Sequence, residues 1–542
     1  MPGGLLNLVA YGNLNLILNG NPSKTFFKTT YSKYTNFGLQ KFRKSYHGAK
    51  QLNVNEDSVF TFTIDNIGDL FLDSYFVVQL PNIYSPVLII SPDQQHSVYA
   101  PYEFKWIENI GVQMIRKVQF MIDGDVIQEF TGQYIYNMVQ RDFSEGKKKL
   151  FSQMIGNTPE LNDPANYNNR NGKYPNVLYN STNPDNIAPS IFARKLYIPL
   201  NIWSTLSSKM AIPLLCLQYA KLKIEITCRP ITELFVVRDI MSDEVNNGSQ
   251  PMEPNQAPYI KADQNIPAYQ LHRFIHQPAS LALYGKSTDE FKSTRTDWNQ
   301  DIHLICTSAF LSEEEQKVFK HKPQHYLIKE VHEETHYNTT GTNVIQLNSH
   351  GMVSSWMWYF QRDDVNKRNQ WSNYTNWPYK TIPSPLLIKQ NIYYTDIFDP
   401  KNLKDILLKM SILFDGKLRE NEFDSGIYNY TEKYLKTAGY SDENLYCYNF
   451  CLDTDPFNLQ PSGAVNLSKF THIEFRFSTL SPPLDSSKNV YAAVCNTNGE
   501  IISSQISGVN IMYEYNYNLH IMQERYNILT FKDGLTHRLV HK

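Results

Sequence analysis

Side chains that change character at every second residue limit this chain more than any other feature. In "KLKIEITC" (221–228), Leu222, Ile224, Ile226 and Cys228 alternate with Lys223, Glu225 and Thr227. That is the period of a β-strand with one face buried and one in water. Runs of the same kind recur as "SVFTFTI" (58–64), "SYFVVQL" (74–80), "KLYIPLNIW" (195–203), "DIHLICTSAFL" (301–311), "GTNVIQL" (341–347), "KMSILFDGKL" (409–418) and "THIEFRF" (471–477). "KVQFMIDGDVIQEF" (117–130) reads as two strand arms around Asp123-Gly124, a strong hairpin signal. The 36 Tyr, 29 Phe and 7 Trp suit pleated, half-buried surfaces. At 542 residues the chain exceeds one ordinary core. The expectation is an all-β protein of at least two domains.

Helical candidates are few: "SEEEQKVFKH" (312–321), with Ser312 and three Glu at its start, and "SGIYNYTEKYL" (425–435). Near the N-terminus, Leu5, Leu8 and Val9 follow helical spacing, whereas Leu14, Leu16 and Leu18 alternate as in a strand. Past the turn former "NGNP" (19–22), "KTFFKTTYSKYTNF" (24–37) reads as a long strand. Asn-, Pro- and Gly-rich stretches at 156–190 and 241–262 read as long exposed loops, the second as the domain boundary.

One internal echo organises the rest. "KLYIPLNIW…PLLCLQYAKLKIEIT" and "LYCYNFCLDTDPFNLQPSGAVNLSKFTHIEFRFS" each run strand, Pro-bearing loop, strand, about half a chain apart. This predicts two tandem copies of one eight-stranded jelly-roll sandwich. The division is an arm at 1–25, a first sandwich at 26–240, a linker at 241–262, a second sandwich at 263–525 and a tail at 526–542.

Net charge is −2, which gives the whole molecule no electrostatic reason to bind nucleic acid. Lys24, Lys28, Lys33, Lys41, Arg43, Lys44 and Lys50 nevertheless fall in a stretch, 1–50, without one Asp or Glu. Such a segment suits an anionic surface. Six scattered cysteines read as free thiols of a reducing compartment, and Cys447 and Cys451 lack the second pair that a zinc site needs.

"HEETH" (332–336) has the His-Glu-x-x-His spacing of zinc proteases. On a helix, His332 and His336 would share one face about 6 Å apart. On a strand, the same spacing separates them by about 13 Å, beyond the reach of one ion. The flanks "HYLIKEV" and "YNTTGTN" favour a strand, so the match is read as coincidental. The chain also lacks GxxxxGK(S/T), GxSxG and a GxGxxG after a strand, so no enzyme and no cofactor is expected. Trp356, Trp358, Tyr359 and Phe360 cannot share one strand face, so both faces should be covered. With Trp371 and Trp377 they are candidates for contacts between sandwiches or between copies.

Several blocks resemble the major capsid proteins of nucleocytoplasmic large DNA viruses. They are "LVAYG" (8–12), "NGNP", "TFFK" (25–28) and "TNF" (35–37), then "IPLNIW…MAIPLLCLQYAKLKIEI" (198–226) and "DDVNKRNQWSNYTNW" (363–377). "ILFDGKLRENEFDSGIYNYTEKYL" (412–435) and "NLYCYNFCLDTDPFNLQPSGAVNLSKF" (444–470) complete the set. The later blocks are most similar to giant, mimivirus-like members. The resemblance implies a double jelly roll, homotrimers of pseudo-hexagonal outline, and an icosahedral virion shell over an internal membrane, assembled in the host cytoplasm at viral factories. It implies an assembly arm (Leu5, Leu8, Val9, Tyr11, Leu14, Leu16) along the inner shell face, touching minor capsid proteins. The basic patch (Lys24, Lys28, Lys33, Lys41, Arg43, Lys44) would face the membrane, and long outer loops would be open to host contact. The C-terminal "NILTFKDGLTHRLVHK" departs from the family's Gly-rich hydrophobic ending. A jelly roll by itself also leaves a glycan-binding surface protein or a minor capsid paralogue open.

Overall fold

The computed structural model describes residues 12–85, 102–170, 174–175, 188–239, 259–266, 269–276, 293–377, 380, 404–441, 444–481, 490–495, 501–507 and 515–539. Eight principal strands build the first half: β1 (Phe37–Lys44), β2 (Ser58–Ile64), β3 (Leu70–Gln79), β4 (Ile115–Ile122), β5 (Asp125–Phe130), β6 (Lys195–Pro199), β7 (Leu222–Cys228) and β8 (His303–Leu311). Eight more build the second: β9 (Gln324–His336), β10 (Thr342–Gln346), β11 (Met352–Arg362), β12 (Leu407–Phe414), β13 (Lys417–Asp424), β14 (Tyr446–Asn449), β15 (Ile473–Thr479) and β16 (Tyr517–Lys532).

Hydrogen bonding arranges the first set as β1-β8-β3-β6 facing β2-β7-β4-β5. The second set forms β9-β16-β11-β14 facing β10-β15-β12-β13. Adding eight to each label of the first half gives the second, so one topology occurs twice. The alternation seen in the sequence is the cause. In β7, Leu222, Ile224, Ile226 and Cys228 are buried and the residues between them are not; β15 repeats this with Ile473, Phe475, Phe477 and Thr479. Each sandwich closes over its own apolar filling. Phe60, Phe76, Phe120 and Ile224 lie in the first core, and Trp356, Trp358, Phe475 and Ile521 in the second.

The echo in the sequence is structural: β6, a two-residue strand at Ile212–Pro213, a 3-10 turn and β7 match β14, Val465–Asn466, a 3-10 turn and β15. A second echo went unread. Asp123-Gly124 joins β4 to β5 and Asp415-Gly416 joins β12 to β13, and all four residues have positive φ, at 53°, 91°, 47° and 76°. That is the backbone a two-residue hairpin turn requires. A helix follows each hairpin. In chain order the helices used below are α1 (Asn13–Asn19), α2 (Gly132–Asp142), α3 (Glu313–His321) and α4 (Glu432–Lys436), the last continuing a π-helical turn at Ile427–Thr431. Both helical candidates in the sequence are therefore helices.

Four expectations need correction. Leu14, Leu16 and Leu18 lie on α1, not on a strand. Residues 24–36 carry no strand, and the ladder begins only at Phe37. β-Propensity reports packing against neighbours, and these residues, all exposed, have none to pack on. β8 falls in the stretch assigned to the second sandwich, yet it hydrogen bonds to β1 and β3 and completes the first. Residues 526–538, read as a tail, continue β16 and return as the strand Leu535–Arg538. Within 156–190, Leu161, Ala165 and Tyr174 are buried, so that loop is packed in part. Residues 241–258 lie outside the described residues.

Candidate assembly surfaces and the junction between the sandwiches

The two halves meet across α2. Thr131 caps this helix, its hydroxyl accepting from the Tyr134 amide at 3.2 Å. One side of α2 sends Ile135 and Val139 into the first core. The other side lies on the outer face of the sheet β9-β16-β11-β14. There the Tyr134 hydroxyl donates to Glu524 at 2.9 Å and the Asn137 amide approaches the Met522 sulfur at 3.6 Å. Arg141 donates to both Glu524 oxygens at 2.9 Å, to Asp142 at 2.7 and 2.8 Å, and to the Ser355 hydroxyl at 3.2 Å. The Thr454 hydroxyl closes the group on Asp142 at 2.7 Å.

Arg141, Asp142 and Glu524 are all buried. Burial alone would push the Glu524 carboxyl up, but Arg141, Lys329 and the Ser355 hydroxyl outweigh it and hold it near 2. For Asp142 burial wins over the same guanidinium, and its value rises. Buried ions survive only when each charge and lone pair finds a partner, and this cluster meets that demand across 383 residues of chain. Sequence reasoning missed it, since a lone Arg in a Tyr-rich helix carries no mark of a partner so far away.

A second carboxylate crosses the same junction. Glu333 on β9 accepts from the Thr131 amide at 2.7 Å and hydroxyl at 2.9 Å, at the positive end of α2. Burial nevertheless raises its value from 4.5 to about 7, with Glu129 adding repulsion. The folded state then holds a proton that the unfolded chain has lost. This contribution to stability is full below pH 4.5 and disappears as pH rises through about 7. Glu333→Gln keeps an acceptor for the Thr131 amide and cannot ionise. The variant is expected to melt with wild type near pH 5 and a few degrees above it at pH 8, as measured by thermal scans across that range.

The aromatic run divides between the two faces of β11. Trp356, Trp358 and Phe360 point into the second sandwich, and Tyr359 points to the junction. There Tyr359 stacks on Tyr374 at 4.1 Å and on His520 at 4.8 Å. The three inward side chains are fully buried within one chain, so they fill a core and do not meet another copy. Trp371 donates to the Glu233 carbonyl at 3.0 Å beneath the Arg229 guanidinium, a contact between the halves. Trp377 lies beside Lys404, 5.0 Å from the ring centroid.

Of the arm residues, Leu5, Leu8, Val9 and Tyr11 lie outside the described residues. Leu14 and Leu16 lie on α1, 72% and 61% exposed. Phe26, Phe27, Tyr31 and Tyr34 continue the exposed apolar stretch. The basic patch is less bare than its local sequence suggests. Arg43 pairs with Asp301 at 2.5 Å, Lys44 with Asp65 at 2.9 Å, and Lys41 donates to Thr307 at 2.9 Å. Lys24, Lys28, Lys33 and Lys50 are exposed.

His332 and His336 both lie on β9, a strand of 13 residues, as the flanks predicted. Extended geometry sets the pair about 13 Å apart. Among the described residues no group of three or more His, Cys, Asp or Glu could hold a metal ion.

Two family descriptions match the chain: "Major capsid protein N-terminus" over residues 25–264, and "Large eukaryotic DNA virus major capsid protein" over residues 315–536. Probable capsid protein 4 of Acanthamoeba polyphaga mimivirus is 22% identical over 532 residues, 89% of this chain and 94% of that one. The major capsid protein of Phaeocystis pouchetii virus is 31% identical over 237 residues, 43% of this chain and 42% of that one. In fold, a chain of the PBCV-1 virus capsid, known as a quasi-atomic model, superposes with a TM-score of 0.60 at 16% identity, covering 96% of this chain and 100% of that one. The Faustovirus major capsid protein gives 0.60 at 12% identity, covering 96% and 95%. With a duplicated jelly roll whose buried chemistry is structural, and with both halves matched, the chain belongs to the double jelly-roll major capsid proteins of the nucleocytoplasmic large DNA viruses, a component of the virion shell and not an enzyme.

Proposed function

We propose that the chain acts as a homotrimer of pseudo-hexagonal outline, and that trimers tile an icosahedral shell over an internal membrane. The observation that carries this reading is the duplication. Two sandwiches of one topology, joined through α2, give a trimer six similar units, an outline that packs a plane without gaps. The arm at residues 1–25, with its cationic continuation, is assigned to the inner face. A chain segment whose Leu14, Ile17, Phe26 and Phe27 all stand in water needs a partner to cover it. Minor capsid proteins are the proposed partners of the apolar part, and the anionic membrane that of Lys24, Lys28 and Lys33.

The test has two stages. Light scattering of the purified protein should give a mass near three times 63.0 kDa, and a stable monomer would refute the reading. Deletion of residues 2–25 should then leave three subunits per particle while shells fail to form. Loss of trimers on deletion would move the arm from the shell's inner face to the trimer contact.

A further inference from the structure

Beside the buried ion cluster, the seam between the sandwiches leaves a cavity. From the first half it is lined by Met138 on α2 and by Asn201, Trp203 and Met210 beyond β6. From the second half come Lys329 on β9, Glu524 and Tyr526 on β16, and Leu459. Its volume is about 40 Å³. On that measure one water takes about 10–15 Å³, so the space suits roughly three or four heavy atoms.

The hydrogen-bonding capacity left on these walls is of one kind. Asn201 is 9% exposed and Trp203 5%. Among the described residues, Asn201 Nδ2 and the Trp203 indole N–H are buried donors without a partner. An indole nitrogen can only donate, so no reorientation of the ring turns it into an acceptor. The acceptors nearby are already engaged. Gln128 Oε1 accepts from the Trp203 amide at 3.2 Å, while the Gln128 side-chain amide donates to the Lys329 carbonyl at 3.1 Å. Both Glu524 oxygens accept from Arg141 at 2.9 Å, with the Tyr134 hydroxyl on one and the Ser355 hydroxyl on the other. Arg141 thus answers the Glu524 charge. The Lys329 ammonium stands 5.9 Å from the centre of the Tyr526 ring. Two orphaned donors beside an ammonium call for an oxygen acceptor that carries negative charge.

We infer that the seam cavity binds a small monocarboxylate of about acetate's size, its oxygens accepting from Asn201 and Trp203 beside Lys329 and its methyl end against Met138, Met210 and Leu459. The two donors belong to the first sandwich and the cation to the second, so the bound acid ties the halves together. A ligand held only by the folded chain stabilises it in proportion to the logarithm of its concentration once the site fills. Each chain carries the whole site, so the inference stands apart from the trimer reading.

The test uses acetate on the full chain. Calorimetric titration is expected to show one saturable site per chain, and acetate should raise the melting temperature beyond the effect of chloride at equal ionic strength. Acetamide keeps the shape and the carbonyl but not the charge, and it should bind about 10-fold more weakly or worse. Trp203→Phe removes the donor and keeps a ring, whereas Lys329→Met removes the charge and keeps the stem. Each should weaken acetate about 10-fold or more. Lys329 is only partly buried, so its variant answers even if Trp203→Phe fails to fold. Absence of saturable binding in wild type would overturn the site, as would unchanged acetate affinity in either folded variant. A crystal grown with acetate that holds water alone on Asn201 and Trp203 would overturn it too.

Discussion

Arg141→Met is expected to destabilise the chain by about 3–5 kcal/mol at neutral pH, because it strands buried carboxylates without their cation. Arg141 makes donor contacts to Asp142, Glu524 and Ser355 inside the junction, and no solvent reaches its side chain. Once it is gone, Glu524 keeps the Tyr134 and Ser355 hydroxyls but loses the charge that held it near 2. Its value should climb, so the variant should recover part of its loss below about pH 5, where the carboxyls take up protons. In wild type the sign is opposite. A carboxyl held low adds stability that is present above pH 4.5 and lost as pH falls toward 2. Denaturant titration at pH 7 and pH 5 measures both effects. Combining Arg141→Met with Asp142→Asn and Glu524→Gln should restore most of the stability, since uncharged groups of similar shape can replace a buried ion cluster. An Arg141→Met chain as stable as wild type at pH 7 would show that the cluster is hydrated.

Trp358→Ala should cost a comparable amount, about 3–5 kcal/mol, through lost burial and the cavity left behind. Trp358 is fully buried and packs among Tyr428 at 5.3 Å, Phe475 at 5.4 Å and Tyr446 at 6.0 Å between ring centroids. These rings come from both sheets and from the turn preceding α4, so they cannot collapse into the space without moving strands. Among the described residues the indole N–H has no hydrogen-bond partner. Trp358→Phe removes that orphan donor together with part of the volume, and it should cost well under half as much. Thermal unfolding of the two variants side by side separates volume from polarity. The melting loss should localise to the second sandwich and leave amide exchange in β2, β4 and β7 near wild-type rates.

How much of this was legible depends on how locally each feature is determined. β7 and β15 could be read residue by residue, because one face meets a core and the other water. The Asp123-Gly124 turn could be read because few residues tolerate the backbone it needs. Residues 24–36 misled, since their threonines and aromatics favour a strand only when a neighbouring strand exists. β8 was misplaced for the same reason: its partners β1 and β3 lie more than 220 residues earlier, and no local pattern records them. The basic patch looked bare because Asp301 and Asp65 stand outside the first 50 residues. The Arg141–Glu524 pair and the Thr131–Glu333 cap were invisible on the same ground.

Covalent tethering of the sandwiches changes the law by which rings form. The α2 seam is made inside each chain, at an effective concentration fixed by the tether and independent of how much protein is present. In the proposed three-chain ring, half of the seams are then settled before any encounter. Ring yield consequently rises with the third power of chain concentration, where six separate single sandwiches would follow the sixth. In the proposed trimer, two sandwiches on one chain therefore close rings at protein levels too dilute for separate units.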